Sequence, residues 1–571
     1  MILSPTQGIF KNDIYNAWDT GHKNVLGVSP TGSGKTVVFS DILKDHNGSS
    51  CAIAHRQELV TQISLALARD DVPHRIIGPN NVVKLAVNIH MAECGTSYYN
   101  PQAPCAVAGV DTLVRRKDNL ANWLNSVTKW VQDEAHHVLV NNKWGKAVDM
   151  FPNAIGLGVT ATPDRADGYG LGRHADGVFD VMVEGPQMRA LIDMGYLTDY
   201  RVFAPPSDLD LTNVNVTKSG EFSKEPLKAA VNKSHVVGDI VKHYLRIAPG
   251  KLGITFVDSV DTATQVAAEY NRAGVPAAVV SADTKDTDRV RIVKEFTARK
   301  LMQLVNVDLF GEGFDLPAIE VVSMGRPTQS YALYVQQFGR ALRLILGNIS
   351  RATWDTYTDL QRRLLIAQST KPHAIIIDHV GNVERHGLPD RPRIWTMDRR
   401  ERTGKNKPTD DIPTTTCLNP ECVSVYERTY KACPYCGHVN LPAFRSGPEF
   451  VDGDLTELDA ATLAEMRGEI AKVNMTVDEA RADMLANWVP KIALTPGIKR
   501  HIARQEMQTA LRESIAWWGG YQRAAGRDDS ESYKRFYWKF GIDVLSAQAL
   551  NIKDAQTLAL KINDDLARLA V

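Results

Sequence analysis

The 571-residue sequence has no net charge and no long apolar segment. Its 66 Lys and Arg residues balance 66 Asp and Glu residues, which excludes a polycationic nucleic-acid coat and an acidic solvating protein. No run of 18 apolar residues is present, so no transmembrane helix is predicted. The first ten residues lack a basic segment followed by an apolar one, and a secretory signal is not expected. These absences predict a globular protein of the cytoplasm.

Cysteine is also scarce, and its seven residues are unevenly placed. Cys51, Cys94 and Cys105 are scattered, whereas the other four lie together near position 425 at Cys417, Cys422, Cys433 and Cys436. An odd number of cysteines in a long chain without an export signal argues against a disulfide framework. A reducing compartment and a metal site are expected instead.

The length predicts three or four domains, at about 150 residues per domain. Short apolar runs alternate with amphipathic stretches over 1–195 and again over 236–384, which predicts βαβ units and two successive parallel sheets. The remaining segments are expected to be a polar connector at 196–235, a basic linker at 385–412, a cysteine element at 413–445 and an all-helical region at 446–571. The predicted fold class is therefore α/β, with two tandem parallel-sheet domains followed by a small metal element and helices.

A glycine-rich segment, residues 29–36 and here called the phosphate loop, follows a predicted strand at 25–28 and precedes a predicted helix. This order is typical of loops whose backbone N–H groups surround phosphate oxygens, with help from the helix N-terminus. The strict pattern has Gly where Ser29 stands. Lys35 is expected at the β- and γ-phosphates and Thr36 on Mg²⁺, and the predicted phosphate-loop contacts are Thr31, Gly32, Ser33, Gly34, Lys35 and Thr36.

An acidic pair follows a buried strand about 100 residues after the phosphate loop, at Asp133 and Glu134. Two carboxylates at the end of an apolar strand are unusual unless they bind a ligand. Asp133 is expected to bind Mg²⁺, directly or through water, and Glu134 to polarise the attacking water.

Residues 133–136, Asp-Glu-Ala-His, together with the phosphate loop resemble superfamily 2 helicases of the DEAH/DExH kind. Other segments resemble the motifs of this family in the family's order, over roughly residues 1–385. They are the Gln motif at 3–7, motif Ia at 54–59, motif Ic at 109–113, motif III at 160–162, motif IV at 255–259, motif V at 305–317 and motif VI at 336–343.

The resemblance implies two RecA-like motor domains with ATP between them. Arg340 and Arg343 would reach across the cleft, because a guanidinium stays charged and matches phosphate oxygens bidentately. The other residues implied at the nucleotide are Gln7 as the adenine reader, Gln336 near the attacking water, and Gly313 and Asp315 of motif V.

Motifs Ia and Ic face the nucleic-acid backbone in this family, which implies sequence-independent contacts from Arg56, Gln57, Thr112, Arg115 and Arg116. A closer likeness to the RadD-like bacterial and phage branch rests on residues 195–198, 313–317 and 377–382. It favours a DNA helicase or translocase of replication, recombination or repair. The implied partners are single-stranded, forked or branched DNA and a replication or repair protein, without a membrane and with a monomer favoured. The motor of a restriction system, an RNA helicase and a zinc-bearing adaptor with an inactive motor remain open.

The four clustered cysteines form two pairs separated by ten residues. Two thiolate pairs predict a tetrahedral, structural Zn²⁺ site, with His438 as an alternative ligand. Further along, aromatic residues at 517–521 and 533–540 alternate with Lys534, Arg535 and Lys539. They predict either a single-strand contact or the core of a small helical domain.

Overall fold

A computed structural model describes residues 3–205, 209, 211, 214–217, 220–234, 236–281, 283–307, 319–391, 393, 395–399, 414–430, 432–440, 472–486 and 491–569. The chain divides into two compact units, Met1–Lys405 and Asn406–Val571. Among the described residues, no helix has both the length and the apolar character that crossing a membrane requires.

Seven parallel strands among the described residues form the first sheet of the first unit. They are β1 (Asn24–Val28), β2 (Ser49–Ala54), β3 (Arg75–Ile77), β4 (Cys105–Gly109), β5 (Val127–Asp133), β6 (Ile155–Thr160) and β7 (Val181–Glu184). Their order across the sheet is β3-β4-β2-β5-β6-β1-β7, so the chain crosses over repeatedly. β1 is buried along its whole length, as expected for a parallel strand covered on both faces.

Helices cover both faces of this sheet. They are α1 (Pro5–Asp19), α2 (Lys35–Lys44), α3 (Gln57–Arg69), α4 (Asn80–Cys94), α5 (Val110–Arg115), α6 (Ala121–Ser126), α7 (Lys143–Val148) and α8 (Met188–Asp193). Phe39 and Leu67 belong to the apolar core on one face, and Trp130 and Phe179 belong to the core on the other.

Six parallel strands form the second sheet, in the described part of the same unit. They are β8 (Tyr200–Phe203), β9 (Gly253–Phe256), β10 (Ala277–Val280), β11 (Gln303–Asn306), β12 (Val321–Met324) and β13 (Ala374–Asp378), in the order β10-β11-β9-β12-β13-β8. Its helices are α9 (Lys224–Lys233), α10 (Val236–Ile247), α11 (Val260–Arg272), α12 (Asp286–Thr297), α13 (Tyr331–Gly339), α14 (Arg351–Thr356), α15 (Asp359–Gln368) and α16 (Asn382–His386). Two parallel-sheet domains in tandem confirm the predicted fold class.

Two segments expected as connectors contribute to the motor domains. The range 196–235 supplies β8, which pairs with β13 at the edge of the second sheet. Its four residues include the charged Arg201 and stand just before a proline pair, so it gave a weak strand signal. In the range 385–412, Trp395 and Met397 pack against the core of the first sheet, and the Arg399 guanidinium binds Asp176.

The second unit contains a short hairpin and a group of helices. The hairpin pairs β14 (Thr414–Thr416) with β15 (Val425–Glu427) in antiparallel register. The helices are α17 (Val477–Ala486), α18 (Lys491–Ala524), α19 (Asp529–Phe540), α20 (Val544–Ala547) and α21 (Ile552–Leu569). Leu511, Trp518, Phe536 and Ile562 form their shared core, which confirms a helical C-terminal region.

Candidate functional site

The phosphate loop joins β1 to α2 and has two glycines in the left-handed backbone region. The φ angles of Gly32 and Gly34 are 87° and 85°, which other residues rarely adopt. A Cβ atom added to Gly34 would lie 2.3 Å from Nε2 of Gln7. Space and backbone conformation therefore both restrict this position to glycine.

Gln7 links the start of α1 to the phosphate loop. Its Oε1 accepts a hydrogen bond from the Ser4 N–H at 3.0 Å, and its Nε2 donates to the Ser33 carbonyl at 2.9 Å. Ser4 and Gln7 form a capping box, a pattern that the sequence Ser-Pro-Thr-Gln carries at helix-start spacing. Gln7 thus lies against the loop, and adenine reading by it stays a prediction.

Lys35 is half-buried at the start of α2. Its Nζ donates to the carbonyls of Ser29 and Pro30, at 2.9 and 3.2 Å. Burial lowers the pKa of Lys35, while the nearby carboxylates of Asp133 and Glu134 oppose that shift. The ammonium therefore sits within the loop and within the field of the acidic pair.

The acidic pair lies where β5 ends. Glu134 has a φ angle of 51°, the left-handed region that is uncommon for a residue with a side chain. Its N–H donates to Oδ1 of Asp133 at 2.9 Å. Such local strain costs about 1–3 kcal/mol and clusters at functional sites, which agrees with the placement of these two carboxylates beside Lys35.

His136 connects the acidic pair to motif III. Its Nδ1 lies 3.1 Å from the Thr160 hydroxyl and 3.4 Å from Oε2 of Glu134. The Thr160 hydroxyl donates to the Thr162 carbonyl at 2.9 Å, so it accepts from Nδ1 of His136. The proton on Nδ1 therefore faces Thr160 and the Glu134 carboxylate.

The second domain reaches this site through α13. Nε2 of Gln336 donates to Oε2 of Glu134 at 3.2 Å, between buried side chains. Three residues further on, a Cβ atom added to Gly339 would lie 2.7 Å from Cβ of Thr31. Motif VI therefore packs directly against the phosphate loop.

The two motif VI arginines lie at the same cleft. Their positive charges contribute to the lowered pKa of Lys35, after burial. Arg340 is buried, and burial lowers the pKa of Arg343 to about 10. The Arg343 carbonyl accepts from Nζ of Lys371 at 2.6 Å, a contact that sequence reasoning missed. The predicted motif V contacts Gly313 and Asp315 lie outside the described residues.

The candidate nucleic-acid contacts lie beyond two neighbouring strands of the first sheet. Arg56 and Gln57 follow β2, whereas the other three, Thr112, Arg115 and Arg116, lie on or just after α5, which follows β4. Since β2 and β4 are parallel neighbours, both groups project from one edge of the sheet. Sequence reasoning missed the adjacent ion pair between Glu58 on α3 and Arg289 on α12, which links the two domains.

The four clustered cysteines converge in the second unit. All four Sγ atoms lie within 4.8 Å of one another, and the Cys417–Cys436 and Cys422–Cys433 separations are 3.6 and 3.8 Å. Zn–S bonds of about 2.3 Å in a tetrahedron require sulfur atoms about 3.8 Å apart. A backbone N–H at His438 helps lower the pKa of the Cys436 thiol to about 7.

The basic residues of the helical region are engaged within the second unit. Arg535 is buried and binds Glu427 of β15, and Lys539 binds Asp565 at 2.6 Å. Trp518 and Phe536 are buried in contact with each other, whereas Trp517 is 76% exposed. These contacts favour the helical-core interpretation of the aromatic segments.

Comparison with known proteins relates the motor to helicases. The family model described as type III restriction enzyme, res subunit matches residues 1–165, and the helicase conserved C-terminal domain matches 235–344. A 51.5 kDa protein of a Lactococcus phage (isolate 7-9) is 30% identical over 413 residues, which cover 72% of this chain and 77% of that protein. The chain belongs to the superfamily 2 helicases.

Two further relatives resemble this helicase over its motor. The putative ATP-dependent helicase IRC3 of Saccharomyces cerevisiae is 30% identical over 339 residues, covering 56% of this chain but only 46% of its own length. A solved fragment of a putative HsdR subunit of a type I restriction enzyme from Vibrio vulnificus YJ016 is 17% identical, with a TM-score of 0.46, covering 67% of this chain and 65% of its own. As a helicase, the protein is an ATPase, whereas membership of the RadD-like branch stays a prediction.

Proposed function

We propose that this helicase couples Mg-ATP hydrolysis to movement along DNA, or to its unwinding, in replication, recombination or repair. The observation that carries the proposal is the contact of Gln336 with Glu134, because it joins the second domain to the acidic pair beside the phosphate loop. The proposal also places the protein in the cytoplasm of a bacterium or of a phage-infected cell, where it would act as a monomer.

The first domain would bind the triphosphate. The backbone N–H groups of residues 31–36 would surround its phosphates, with Lys35 at the β- and γ-phosphates and Gln7 toward adenine. Thr36 and Asp133 would hold Mg²⁺, which screens phosphate charge when it is bound. Glu134 would orient and polarise the attacking water. The proximity of the Lys35 ammonium to the two carboxylates supports this assignment.

The second domain would complete the site. Arg340 and Arg343 would stabilise the charge on the transferred phosphoryl group, and such arginines contribute about 10³–10⁵ to the rate in related enzymes. Because these arginines belong to the second domain, triphosphate would favour a closed cleft and diphosphate a looser one. Alternating closure would then move the protein along a strand.

Nucleic acid would bind along the edge formed by motifs Ia and Ic. Arg56, Gln57, Thr112, Arg115 and Arg116 would contact phosphates without reading bases. The exposure of Gln57, Arg115 and Arg116 supports this role. Single-stranded, forked or branched DNA is the proposed substrate, and a replication or repair protein is a proposed partner.

The four-cysteine group would hold a structural Zn²⁺ ion. Sulfur separations of 3.6 and 3.8 Å suit a tetrahedral Zn²⁺ ion bound by four thiolates. A closed set of four cysteines leaves no coordination position for catalysis. Its role would be to fold the hairpin, which is too small to build its own core.

ATPase turnover with four nucleic acids tests the proposed function. Single-stranded, duplex and forked DNA and RNA would be compared, with Lys35→Ala as the inactive control. Stimulation by DNA above that by RNA is expected, and strand displacement on forks of opposite polarity would separate unwinding from translocation. Stimulation by RNA alone would favour the RNA-helicase alternative, and indifference to every nucleic acid would overturn the proposal.

A restriction motor is the second candidate function. The match of residues 1–165 to the restriction-subunit family model favours it. Incubation of circular duplex DNA with the protein and ATP distinguishes this candidate from a repair motor. Cleavage that depends on ATP would support a restriction motor with its own nuclease, and DNA that stays intact during active hydrolysis would show that such a motor needs a nuclease partner.

A further inference from the structure

A row of aromatic rings, here called the aromatic row, runs from the acidic pair toward the candidate nucleic-acid edge. The rings of His136 and His137 have centroids 4.1 Å apart, and His137 stacks on Trp144 at 5.0 Å with an interplanar angle of 18°. The His55 ring lies 5.3 Å from His137. We propose that the His137–Trp144 stack couples nucleic-acid contact at motifs Ia and Ic to the position of Glu134. This inference rests on the proposed function of those motifs.

Polar contacts hold the end of the aromatic row that lies beside the acidic pair. His136 is tied to Thr160 and to Glu134 through Nδ1. The His137 N–H donates to the Glu134 carbonyl at 3.1 Å, so the backbone of His137 is fixed to the strained residue. A shift of the His137 ring therefore acts on a residue whose backbone is already held in an uncommon conformation.

Helix α7 is anchored to the segment that follows Glu134. Nδ2 of Asn142 donates to the His137 carbonyl at 2.7 Å, and its Oδ1 caps α7. A Cβ atom added to Gly145 would lie 2.2 Å from the Leu139 carbonyl oxygen, so α7 packs closely on this segment. Trp144 consequently moves together with the backbone around His137.

The other end of the aromatic row contacts the elements that carry both nucleic-acid motifs. Lys143, next to Trp144 on α7, binds Oδ1 of Asp111 on α5 at 2.9 Å, and α5 carries Thr112 and Arg115. His55 accepts from Nε of Arg56 at 3.1 Å. A phosphate held by α5 or by Arg56 would therefore act on side chains that touch the stack.

The indole ring is the part of Trp144 that makes these contacts. Its Nε1–H is buried and has no hydrogen-bond partner among the described residues. An aromatic ring without a donor therefore keeps the stack, whereas an aliphatic side chain of similar hydrophobicity removes it. Comparing Phe with Leu at position 144 therefore separates the effect of ring stacking from the effect of apolar packing.

The test compares Trp144→Leu and Trp144→Phe with the wild-type protein. ATPase turnover is measured without and with single-stranded DNA, alongside the DNA dissociation constant. In Trp144→Leu, stimulation by DNA should fall about tenfold, with basal turnover and DNA affinity within about twofold of wild type. Trp144→Phe should retain most of the stimulation.

Lys143→Met provides a second variant that leaves the stack in place and removes its link to α5. It should also reduce stimulation. Unchanged stimulation in Trp144→Leu, or an equal loss of basal and stimulated turnover, would overturn the coupling role and leave the proposed function intact. A wild-type protein that no nucleic acid stimulates would overturn both.

Discussion

Gln336 donates a hydrogen bond from Nε2 to Oε2 of Glu134, 3.2 Å away on the other motor domain. The same carboxylate oxygen lies 3.4 Å from Nδ1 of His136. The Gln336 amide therefore donates to this oxygen, and the His136 ring nitrogen lies beside it. The orientation of Glu134 depends on the approach of α13, which makes the acidic pair sensitive to closure of the cleft.

Gln336→Ala should lower the kcat of ATP hydrolysis more than it changes the KM for ATP. The substitution removes a donor to a buried carboxylate, a type of hydrogen bond worth about 1.5–3 kcal/mol. A loss of roughly ten- to a hundredfold in kcat is expected. Steady-state kinetics would measure it, with the exposed Gln368→Ala as the matched control. An unchanged kcat would contradict the role of this contact in orienting Glu134.

Gly339→Ala should hinder closure of the two domains. The new Cβ atom would lie 2.7 Å from Cβ of Thr31, and inserting a methyl group into such a contact costs about 1–3 kcal/mol. The expected result is a marked loss of ATPase turnover with an unchanged melting temperature for each domain. Gly238→Ala is the control, because its Cβ would meet nothing within 4 Å and α10 should tolerate it. Full turnover in Gly339→Ala would show that closure does not need this approach.

The parts of the site that depend on local residue spacing could be predicted from the sequence. The phosphate loop and Asp133 lie at strand ends, where short apolar runs predict them without knowledge of the fold. The contacts of Trp144 with His137 and of Lys371 with Arg343 were not predicted, because they join segments whose separation in the chain is unrelated to any motif. β8 was missed because a four-residue strand that contains Arg201 gives a weak signal until β13 provides a partner.

Cys433→Ser should remove bound metal and destabilise the second unit. Wild-type protein should carry about one zinc per chain, because four thiolates satisfy a tetrahedral ion. Metal analysis measures this, and thermal unfolding should show a loss of stability in the variant. Cys94→Ser is the control, since Cys94 lies outside the cluster. Wild-type protein without zinc would reject the metal assignment.

Arg535→Met should lower the stability of the second unit. The Arg535 guanidinium is buried, binds Glu427 of the hairpin and lies 3.3 Å from Oε1 of Glu531 on its own helix. Breaking a fully buried ion pair costs about 3–5 kcal/mol. The loss here should be smaller, because the Glu427 side chain is 26% exposed. Lys534→Met, on the same helix, should have a much smaller effect. Equal melting temperatures for the two variants would contradict the structural role of Arg535.

Lys371 should make the stability of the motor depend on pH. Burial lowers the pKa of Lys371 from 10.5 to about 7 in the folded protein. Between these values the unfolded chain holds a proton that the folded protein has released, so the contribution of Lys371 to the free energy of unfolding rises with pH. Below about pH 7 both states are protonated, and the full cost of the buried ammonium remains.

Lys371→Met removes this titration. The variant should therefore gain stability over wild type at about pH 6, and that gain should shrink steadily toward about pH 9. Chemical denaturation at several pH values measures the difference, with the exposed Lys300→Met as the matched control. Because Nζ of Lys371 donates to the Arg343 carbonyl, the same variant should also shift the pH profile of ATP hydrolysis near neutrality. A stability difference independent of pH would contradict the lowered pKa.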